Sequence, residues 1–234
     1  MDATKQKIDD RVVRVPAGAV TLEGNFNLPQ DARGVVLFAH GSGSGRHSPR
    51  NRYVAELLNE SKLGTLLVDL LTAEEEAVDM HTAHLRFDIN LLAERLVGAT
   101  DWLARDATTR RLPIGYFGAS TGAAAALVAA TKREKLISAV VSRGGRPDLA
   151  GRYLARVDAP TLLIVGGNDP LVLELNRAAL DELRCEKHIE IVPGASHLFE
   201  EPGTLDEVAR LARKWFESHF SASARKFAFS NSGE

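Results

Sequence analysis

The stretch IGYFGASTGAAAALVAA, residues 114–130, decides the fold of this chain. Its apolar start, Ile114–Phe117, predicts a buried strand, and its alanine-rich end, Gly122–Ala130, predicts a helix. Between them lies Gly118-Ala119-Ser120-Thr121-Gly122, a G-x-S-x-G sequence in the strand–turn–helix context that presents a nucleophilic serine. Glycine permits so tight a turn because it has no Cβ. We therefore expect Ser120 to be a nucleophile; the alternative is a turn that only packs the helix on the strand.

Apolar runs on both sides of this stretch predict the rest of the sheet. Four of them lack alternation between apolar and polar residues, which is typical of parallel strands covered by helices on both faces. These four are Gly34–Ala39, Thr65–Asp69, Ser138–Ser142 and Thr161–Val165. A further strand is expected at His188–Val192, and Val12–Val15 with Val20–Leu28 predicts an antiparallel hairpin. Helical spacing of apolar residues predicts helices at Arg52–Asn59, Ile89–Leu103, Leu171–Leu183 and Leu205–Phe220.

The composition excludes several classes of protein. With 234 residues, 44% of them hydrophobic and 26% charged, the chain is typical of a soluble globular protein and not of a disordered one. A net charge of −2 offers no basic surface for nucleic acid or for an anionic membrane. The longest apolar run, Ala123–Ala130, is too short to span a bilayer. We expect a cytoplasmic protein with one domain over residues 1–220 and a disordered tail over residues 221–234.

A serine nucleophile needs a base, and His197 is the best placed of the seven histidines. It follows the last predicted strand, at the carboxyl end where open parallel sheets bind ligands. Asp169 follows the preceding strand and is expected to orient His197, which gives the chain order Ser–Asp–His. Asp169 also precedes a predicted helix, so it is suited to cap that helix as well. Asp148 and, less strongly, Asp69 are the alternatives for the acid.

The loop His40-Gly41-Ser42-Gly43-Ser44-Gly45 follows the first parallel strand. An oxyanion needs preorganised N–H donors, and we expect them to be the backbone amides of Ser42 and Thr121. A phosphate-binding loop is the competing interpretation, but its spacing fails. G-x-G-x-x-G requires glycine at position 46, where this chain has Arg46.

These motifs together resemble those of the α/β-hydrolase superfamily, and more closely its dienelactone hydrolase-like branch. The resemblance covers about residues 10–220, and the segment Asp69–Leu96 also resembles that branch. It implies an α/β-hydrolase sandwich in which Ser120 is the nucleophile, His197 the base and Asp169 the orienting acid. It also implies that the amides of Ser42 and Thr121 are the oxyanion donors.

The chain departs from the resemblance in its elbow residue. Dienelactone hydrolases carry cysteine in the elbow, whereas this chain has Ser120 there and its one cysteine, Cys185, elsewhere. This favours a serine esterase or lactonase acting on a small carboxylic ester or lactone without metal or cofactor. Acyl transfer or peptide hydrolysis by the same triad, or a binding module without catalysis, are the alternatives. Residues 142–160 leave room for one helix, so we expect no cap domain and an open site.

Charged residues outside the triad permit further interpretations. Four residues have side chains that could bind a metal ion: Asp79, His81, His84 and Asp88. We favour the alternative, in which they belong to a solvated acidic segment. Five arginines in or after the loops could bind a substrate carboxylate or could be ordinary surface charges: Arg46, Arg50, Arg52, Arg143 and Arg146. We take Arg143 and His47 as the candidate substrate contacts.

Overall fold

A single sheet organises the computed structural model, which describes the backbone of residues 11–230 and the side chains of residues 11–221. Its strands are β1 (Arg11–Ala17), β2 (Val20–Asn27), β3 (Val35–Ala39), β4 (Gly64–Val68), β5 (Ile114–Ala119), β6 (Ile137–Arg143), β7 (Thr161–Gly166) and β8 (Lys187–Val192). They lie in the order β1-β2-β4-β3-β5-β6-β7-β8. β2 pairs with β1 and with β4 in antiparallel register, and the remaining pairs are parallel. The predicted mostly parallel sheet with an antiparallel start is confirmed.

Helices cover both faces of this sheet. They are α1 (Pro49–Glu60), α2 (Ala73–Thr82), α3 (Ile89–Arg105), α4 (Thr121–Lys132), α5 (Pro170–Glu182) and α6 (Thr204–Ser230). Short 3-10 helices lie at Leu85–Phe87 and Pro147–Arg156. Several α-helices begin at a side chain that accepts a hydrogen bond from a first-turn amide, as Ser48 does for α1 and Asp88 for α3.

The core consists of two apolar layers, one on each face of the sheet. Leu37 and Tyr116 belong to the layer that packs under α3 and α4, whereas their neighbours Phe38 and Phe117 belong to the layer under α1 and α6. Successive strand residues point to opposite faces, so both must be apolar when both faces are covered. This explains why the central strands lack alternation. Burial of each such side chain contributes about 1.5–3 kcal/mol to folding.

The parallel direction of the central strands positions the functional site. The carboxyl ends of β3, β5, β6, β7 and β8 meet at one edge of the sheet, because parallel strands in register end together. The ends of β5, β7 and β8 are followed by Ser120, Asp169 and His197, respectively. Their side chains therefore approach one another although they are far apart along the chain.

Two helices differ from the sequence-based expectation. α2 occupies a segment for which no helix was predicted, and a capping box between Thr72 and Glu75 fixes its first turn. α6 continues to Ser230, beyond the predicted end at Phe220. The last four residues of the predicted disordered tail, 231–234, lie outside the described residues.

The connection between β6 and β7 holds the 3-10 helix Pro147–Arg156 and no cap domain, within the part of the chain that the structure describes. This agrees with the short segment seen in the sequence. Among the described helices, none is long and apolar enough to cross a membrane.

Candidate active site

Ser120 lies at the turn from β5 into α4 with φ 50° and ψ −124°, an unfavourable backbone conformation for a residue with a side chain. Close packing enforces it. A Cβ at Gly122 would lie 2.3 Å from the carbonyl oxygen of Ala39, and one at Gly118 would lie 2.5 Å from Cα of Ala123. Only glycine fits at these two positions, so the flanking glycines permit the turn that presents Ser120.

Asp169 and His197 form a hydrogen-bonded pair at the ends of β7 and β8. His197 Nδ1 donates to Asp169 Oδ2 at 2.7 Å. The side chain of His197 is 39% exposed and that of Asp169 is 14% exposed, so the carboxylate is shielded while the imidazole stays accessible. With its proton on Nδ1, the neutral ring has an unprotonated Nε2 that can accept a proton.

Asp169 has two roles at once. Its Oδ1 accepts from the amide of Val172 at 3.4 Å, which caps α5, while its Oδ2 holds His197. The capping interaction fixes the carboxylate relative to the helix and leaves the other oxygen for the imidazole. The structure therefore contains both hydrogen bonds of Asp169, the helix cap and the contact with His197. The alternative acids have other partners, because Asp148 pairs with Arg146 and Asp69 pairs with Arg46.

The imidazole of His197 lies near the end of β6, the strand that pairs with β5. A Cβ at Gly144 would lie 3.7 Å from Cε1 of His197, and Gly144 directly follows Arg143, whose register partner on β5 is Ala119. Ser120 Oγ makes no hydrogen bond with any described side chain, the imidazole of His197 included. Catalytic hydrogen bonds are often long in free enzymes and shorten when substrate binds.

The loop that carries His197 is braced by Glu201, a residue that the sequence analysis did not single out. Glu201 Oε2 accepts from the amide of Ser196 at 3.0 Å. This hydrogen bond lowers the pKa of the Glu201 carboxyl. Asn168 also contacts the loop, since its amide donates to the carbonyl of Ala195 at 2.9 Å. These two bonds hold the two residues that directly precede the histidine.

The two expected oxyanion donors, the amides of Ser42 and Thr121, belong to segments that contact each other. A Cβ at Gly41 would lie 2.8 Å from Cβ of Ser120, so the loop after β3 contacts the nucleophile directly. The amide of Ser42 donates to the side-chain oxygen of Thr121 at 3.0 Å. Thr121 is the first residue of α4, and amides in the first helical turn lack a partner within the helix.

His40 fixes the start of this loop. Its Nδ1 donates to the carbonyl of Gly41 at 2.9 Å, and its Nε2 accepts from the amide of Leu70 at 2.9 Å. This arrangement requires a neutral imidazole with the proton on Nδ1. Burial lowers the pKa of His40, which favours the same neutral form. His40 is therefore a structural link between the ends of β3 and β4.

Arg143 is a buried cation that forms no ion pair with any described carboxylate. It ends β6 with 6% of its surface exposed, and its Nη2 donates to Oδ1 of Asn51 at 2.9 Å. Its guanidinium carbon lies 5.8 Å from the centre of the Phe199 ring, and its Nε is buried with no acceptor among the described residues. Burial and, secondarily, the nearby Arg50 lower the pKa of Arg143 to about 10. Buried charges are usually paired, so the unpaired Nε of this buried guanidinium is unusual.

The other sequence candidates lie around the site or are paired elsewhere. Ser42, His47 and Arg50 line a groove of about 850 Å³ beside the loop after β3. His47 is exposed there. Arg46 forms ion pairs with Asp69 and Glu23. These contacts make Arg46 a structural residue of the loop.

The acidic segment considered as a metal site has a different arrangement. Asp79 accepts from Arg86 Nε at 2.5 Å and from the amide of Leu85 at 2.6 Å. His81 is exposed and its Nδ1 donates to the carbonyl of Ala77 at 3.0 Å. Asp79 thus ties α2 to the following 3-10 helix. Cys185 lies away from the site, against Thr161 at the start of β7.

Comparison with known proteins shows which family the chain resembles in sequence and which structures share its fold. A model of the dienelactone hydrolase family matches residues 69–223. A crystal structure of dienelactone hydrolase from Anabaena variabilis is 59% identical and superposes with a TM-score of 0.89, covering 91% of this chain and 98% of that one. A serine hydrolase without a lid from Xanthomonas campestris is 18% identical with a TM-score of 0.70, covering 89% of this chain and 94% of that one, which shows the fold alone.

Curated relatives from two strains of Mycobacterium tuberculosis carry the provisional name of phosphoribosyl transferase. Each is 56% identical over 217 residues, which cover 93% of this chain and 48% of the relative. The chain therefore spans about half the length of these relatives.

Proposed function

Because the chain belongs to the dienelactone hydrolase family, we propose that it is a serine hydrolase that cleaves a small carboxylic ester or lactone through an acyl-enzyme on Ser120. The observation that carries the proposal is the Asp169–His197 pair, with 2.7 Å between Oδ2 and Nδ1, at the same sheet edge as the strained serine. Such a pair activates a serine that is otherwise a weak nucleophile.

The first half of the reaction forms the acyl-enzyme. Oγ of Ser120 attacks the carbonyl carbon as its proton moves to Nε2 of His197, and the carbonyl oxygen becomes an oxyanion. Asp169 stabilises the imidazolium without taking the proton. When the tetrahedral intermediate collapses, the bond to the alkoxide leaving group breaks and His197 donates the proton to that group. A lactone opens in the same way, but its hydroxyl stays attached to the acyl chain.

The second half reverses these roles with water. His197 removes a proton from a water molecule, whose oxygen attacks the acyl carbon, and then returns the proton to Oγ of Ser120 as the carboxylic acid leaves. The oxyanion forms again at the same position. In this proposal, the amide of Thr121 at the N-terminus of α4 and the amide of Ser42 in the loop after β3 stabilise it.

Arg143 and His47 are the substrate contacts in this proposal. The uncompensated charge of Arg143 supports a substrate that carries an anionic group, since such a group supplies the missing counter-charge. His47 faces the groove that begins at Ser42 and adds a polar contact at its wall. The connection between β6 and β7 holds no cap domain within the described residues, which supports an open site suited to a small ester. We further propose that residues 1–220 act as one domain.

The name given to the Mycobacterium relatives does not change the proposal. It describes proteins of about twice the matched length, and the loop after β3 in this chain lacks the glycine spacing of a phosphate-binding loop. Acyl transfer remains an alternative, since it shares the acyl-enzyme and differs only in the acceptor.

The proposal is tested with a panel of short-acyl 4-nitrophenyl esters and simple lactones. The wild type should hydrolyse at least some of them, and Ser120→Ala should lose essentially all turnover while keeping its thermal unfolding midpoint. A fluorophosphonate should label the wild type at Ser120. A folded wild-type protein that turns over none of the panel and resists the fluorophosphonate would contradict the proposal. Added alcohol acceptors distinguish transfer from hydrolysis by the products formed.

A further inference from the structure

We infer that the side-chain hydroxyl of Thr121 belongs to the oxyanion-binding group, where it donates its own proton to the oxyanion while accepting the amide hydrogen of Ser42. This role is separate from the backbone amide of Thr121. The inference rests on the proposed acyl-enzyme chemistry at Ser120.

The first observation concerns the amide of Ser42, which is already engaged. It donates to Thr121 Oγ1 at 3.0 Å, an ordinary hydrogen-bond distance. A carbonyl oxygen that needed this amide directly would have to displace the hydroxyl. Two arrangements are therefore possible in the transition state. Either the hydroxyl rotates away and the amide of Ser42 donates to the oxyanion, or the hydroxyl stays and itself donates to the oxyanion.

The surroundings of Thr121 favour the second arrangement. The residue is 3% exposed and opens α4 directly after the nucleophile. A β-branched side chain in a helix has few χ1 rotamers, and close packing restricts it further. On the other side, Gly41 lies against Cβ of Ser120 and holds the loop after β3 close to the helix. The hydroxyl is thus held against the loop, on the residue that directly follows the nucleophile.

The chemistry of a hydroxyl completes the argument. A threonine hydroxyl accepts one hydrogen bond and donates another at the same time. Thr121 Oγ1 accepts from Ser42, and none of the described residues provides an acceptor for its own hydrogen. A developing negative charge beside Ser120 would be such an acceptor. The resulting chain, from amide to hydroxyl to oxyanion, polarises each bond in turn, and no proton changes its heavy atom.

A purely structural role makes a different prediction. If the hydroxyl only anchors the loop, its removal loosens substrate binding and stability but has no special effect on the transition state. If it blocks the amide of Ser42, its removal accelerates the reaction. If it belongs to the oxyanion-binding group, its removal lowers kcat with little change in KM, because the interaction is made in the transition state alone.

The experiment compares Thr121→Val, which keeps the shape without the hydroxyl, with Thr121→Ser, which keeps the hydroxyl. Thr131→Val is the matched control, because Thr131 is a buried threonine of the same helix whose hydroxyl donates to the carbonyl of Val128. Each variant is assayed for kcat and KM on 4-nitrophenyl butyrate and for inhibition by butylboronic acid, which forms a tetrahedral adduct with the serine. The rate of fluorophosphonate labelling of Ser120 is measured as well.

We expect Thr121→Val to lose about 10- to 100-fold in kcat, in boronate affinity and in labelling rate, with KM changed by no more than about twofold. Thr121→Ser should stay within about threefold of the wild type, and Thr131→Val should match it. Thr121→Ala provides the same comparison if the valine variant does not fold.

Three results would overturn the inference. They are an unchanged or higher kcat in Thr121→Val, an equal loss in the valine and serine variants, and a loss confined to KM. Failure of the proposed function is distinguishable from all three, since a wild type that neither hydrolyses esters nor reacts with the fluorophosphonate contradicts the acyl-enzyme itself.

Discussion

The two sides of the site differ in how completely their polar groups are paired without substrate. The base side, formed by Asp169 and His197 at the ends of β7 and β8, has its hydrogen bond in place at 2.7 Å and a braced loop behind it. The electrophile side, formed by Ser42, Thr121 and Arg143, holds two hydrogens without an acceptor among the described residues: that of the Thr121 hydroxyl and that of Arg143 Nε. In the proposed reaction, the base side therefore has its hydrogen bond before substrate binds, whereas the electrophile side gains acceptors from the substrate.

This difference has a physical basis. A general base must be oriented before the reaction, so its partner has to come from the protein. Donors to an oxyanion or to a substrate anion are useful only when their acceptor arrives with the substrate. Unpaired donors cost stability in the free protein, and proteins commonly accept such a cost at functional sites. The predictions below test the base side and the electrophile side separately.

The largest effect is expected from breaking the base side. Asp169→Asn keeps an acceptor for the α5 cap but favours the wrong imidazole tautomer, so kcat should fall about 10³- to 10⁴-fold with stability nearly unchanged. Steady-state kinetics and thermal unfolding measure the two quantities. Asp148→Asn is the matched control because Asp148 is the alternative acid, and we expect it to retain activity. The assignment is wrong if the Asp148 variant shows the larger loss.

The electrophile side is tested by the charge on the substrate. Arg143→Met should reduce the preference for an ester with a carboxylate on its acyl chain, such as the 4-nitrophenyl monoester of glutaric acid, over the neutral butyrate ester. The expected loss in the ratio of kcat/KM values is about 10- to 100-fold, the effect of losing a hydrogen bond to a charged group.

Arg146→Gln is the control for Arg143, because Arg146 lies three residues along and is already paired with Asp148 through two hydrogen bonds of 2.9 and 2.8 Å. Its ratio should stay within about twofold of the wild type. Equal losses in both variants would indicate a general electrostatic effect and would contradict a specific contact with Arg143.

A smaller effect should follow from loosening the loop behind the base. Glu201→Ala removes the acceptor of the Ser196 amide, so His197 becomes less well positioned and kcat should fall about 3- to 10-fold. Glu207→Ala, on the exposed side of α6, is the control. Retention of full activity by Glu201→Ala would show that the loop is held without this carboxylate.

The smallest effect concerns stability at low pH. The folded state lowers the pKa of His40 below its ordinary value of 6.5, so below that pH the unfolded chain binds a proton that the folded chain resists. The free energy of unfolding should therefore decrease as the pH falls below 6.5, by at most about 1.4 kcal/mol per pH unit for this group. His40→Gln should flatten the dependence, measured by urea unfolding, and His188→Gln at the exposed end of β8 should not. A dependence unchanged in His40→Gln would contradict the neutral assignment.

Much of this architecture could be predicted because it depends on local patterns. The uninterrupted apolar strands predicted a sheet covered on both faces, and Ser120, Asp169 and His197 were identified because each follows a strand at its carboxyl end. α2 was missed because its consecutive acidic residues, Glu74, Glu75 and Glu76, hide any apolar stripe. The capping pair of Thr72 and Glu75 was the available signal.

Contacts between distant segments could not be predicted in the same way. Arg143 touches Asn51 on α1 and Phe199 after β8, and no pattern in any one of these segments indicates the other two. The hydrogen bond from Ser42 to Thr121 likewise depends on the separation between a loop and a helix. Only the three-dimensional structure shows which donors have an acceptor. This pairing of donors distinguishes the base side from the electrophile side.

The central claim, an acyl-enzyme on Ser120, is tested most directly by rapid acid quenching during turnover of 4-nitrophenyl butyrate, followed by intact-mass analysis and peptide mapping. The account predicts a butyryl adduct on Ser120 that forms with the nitrophenol burst, decays with turnover and is absent from Ser120→Ala. Turnover by Ser120→Ala at the wild-type rate, or an adduct on another residue in the burst, would contradict it.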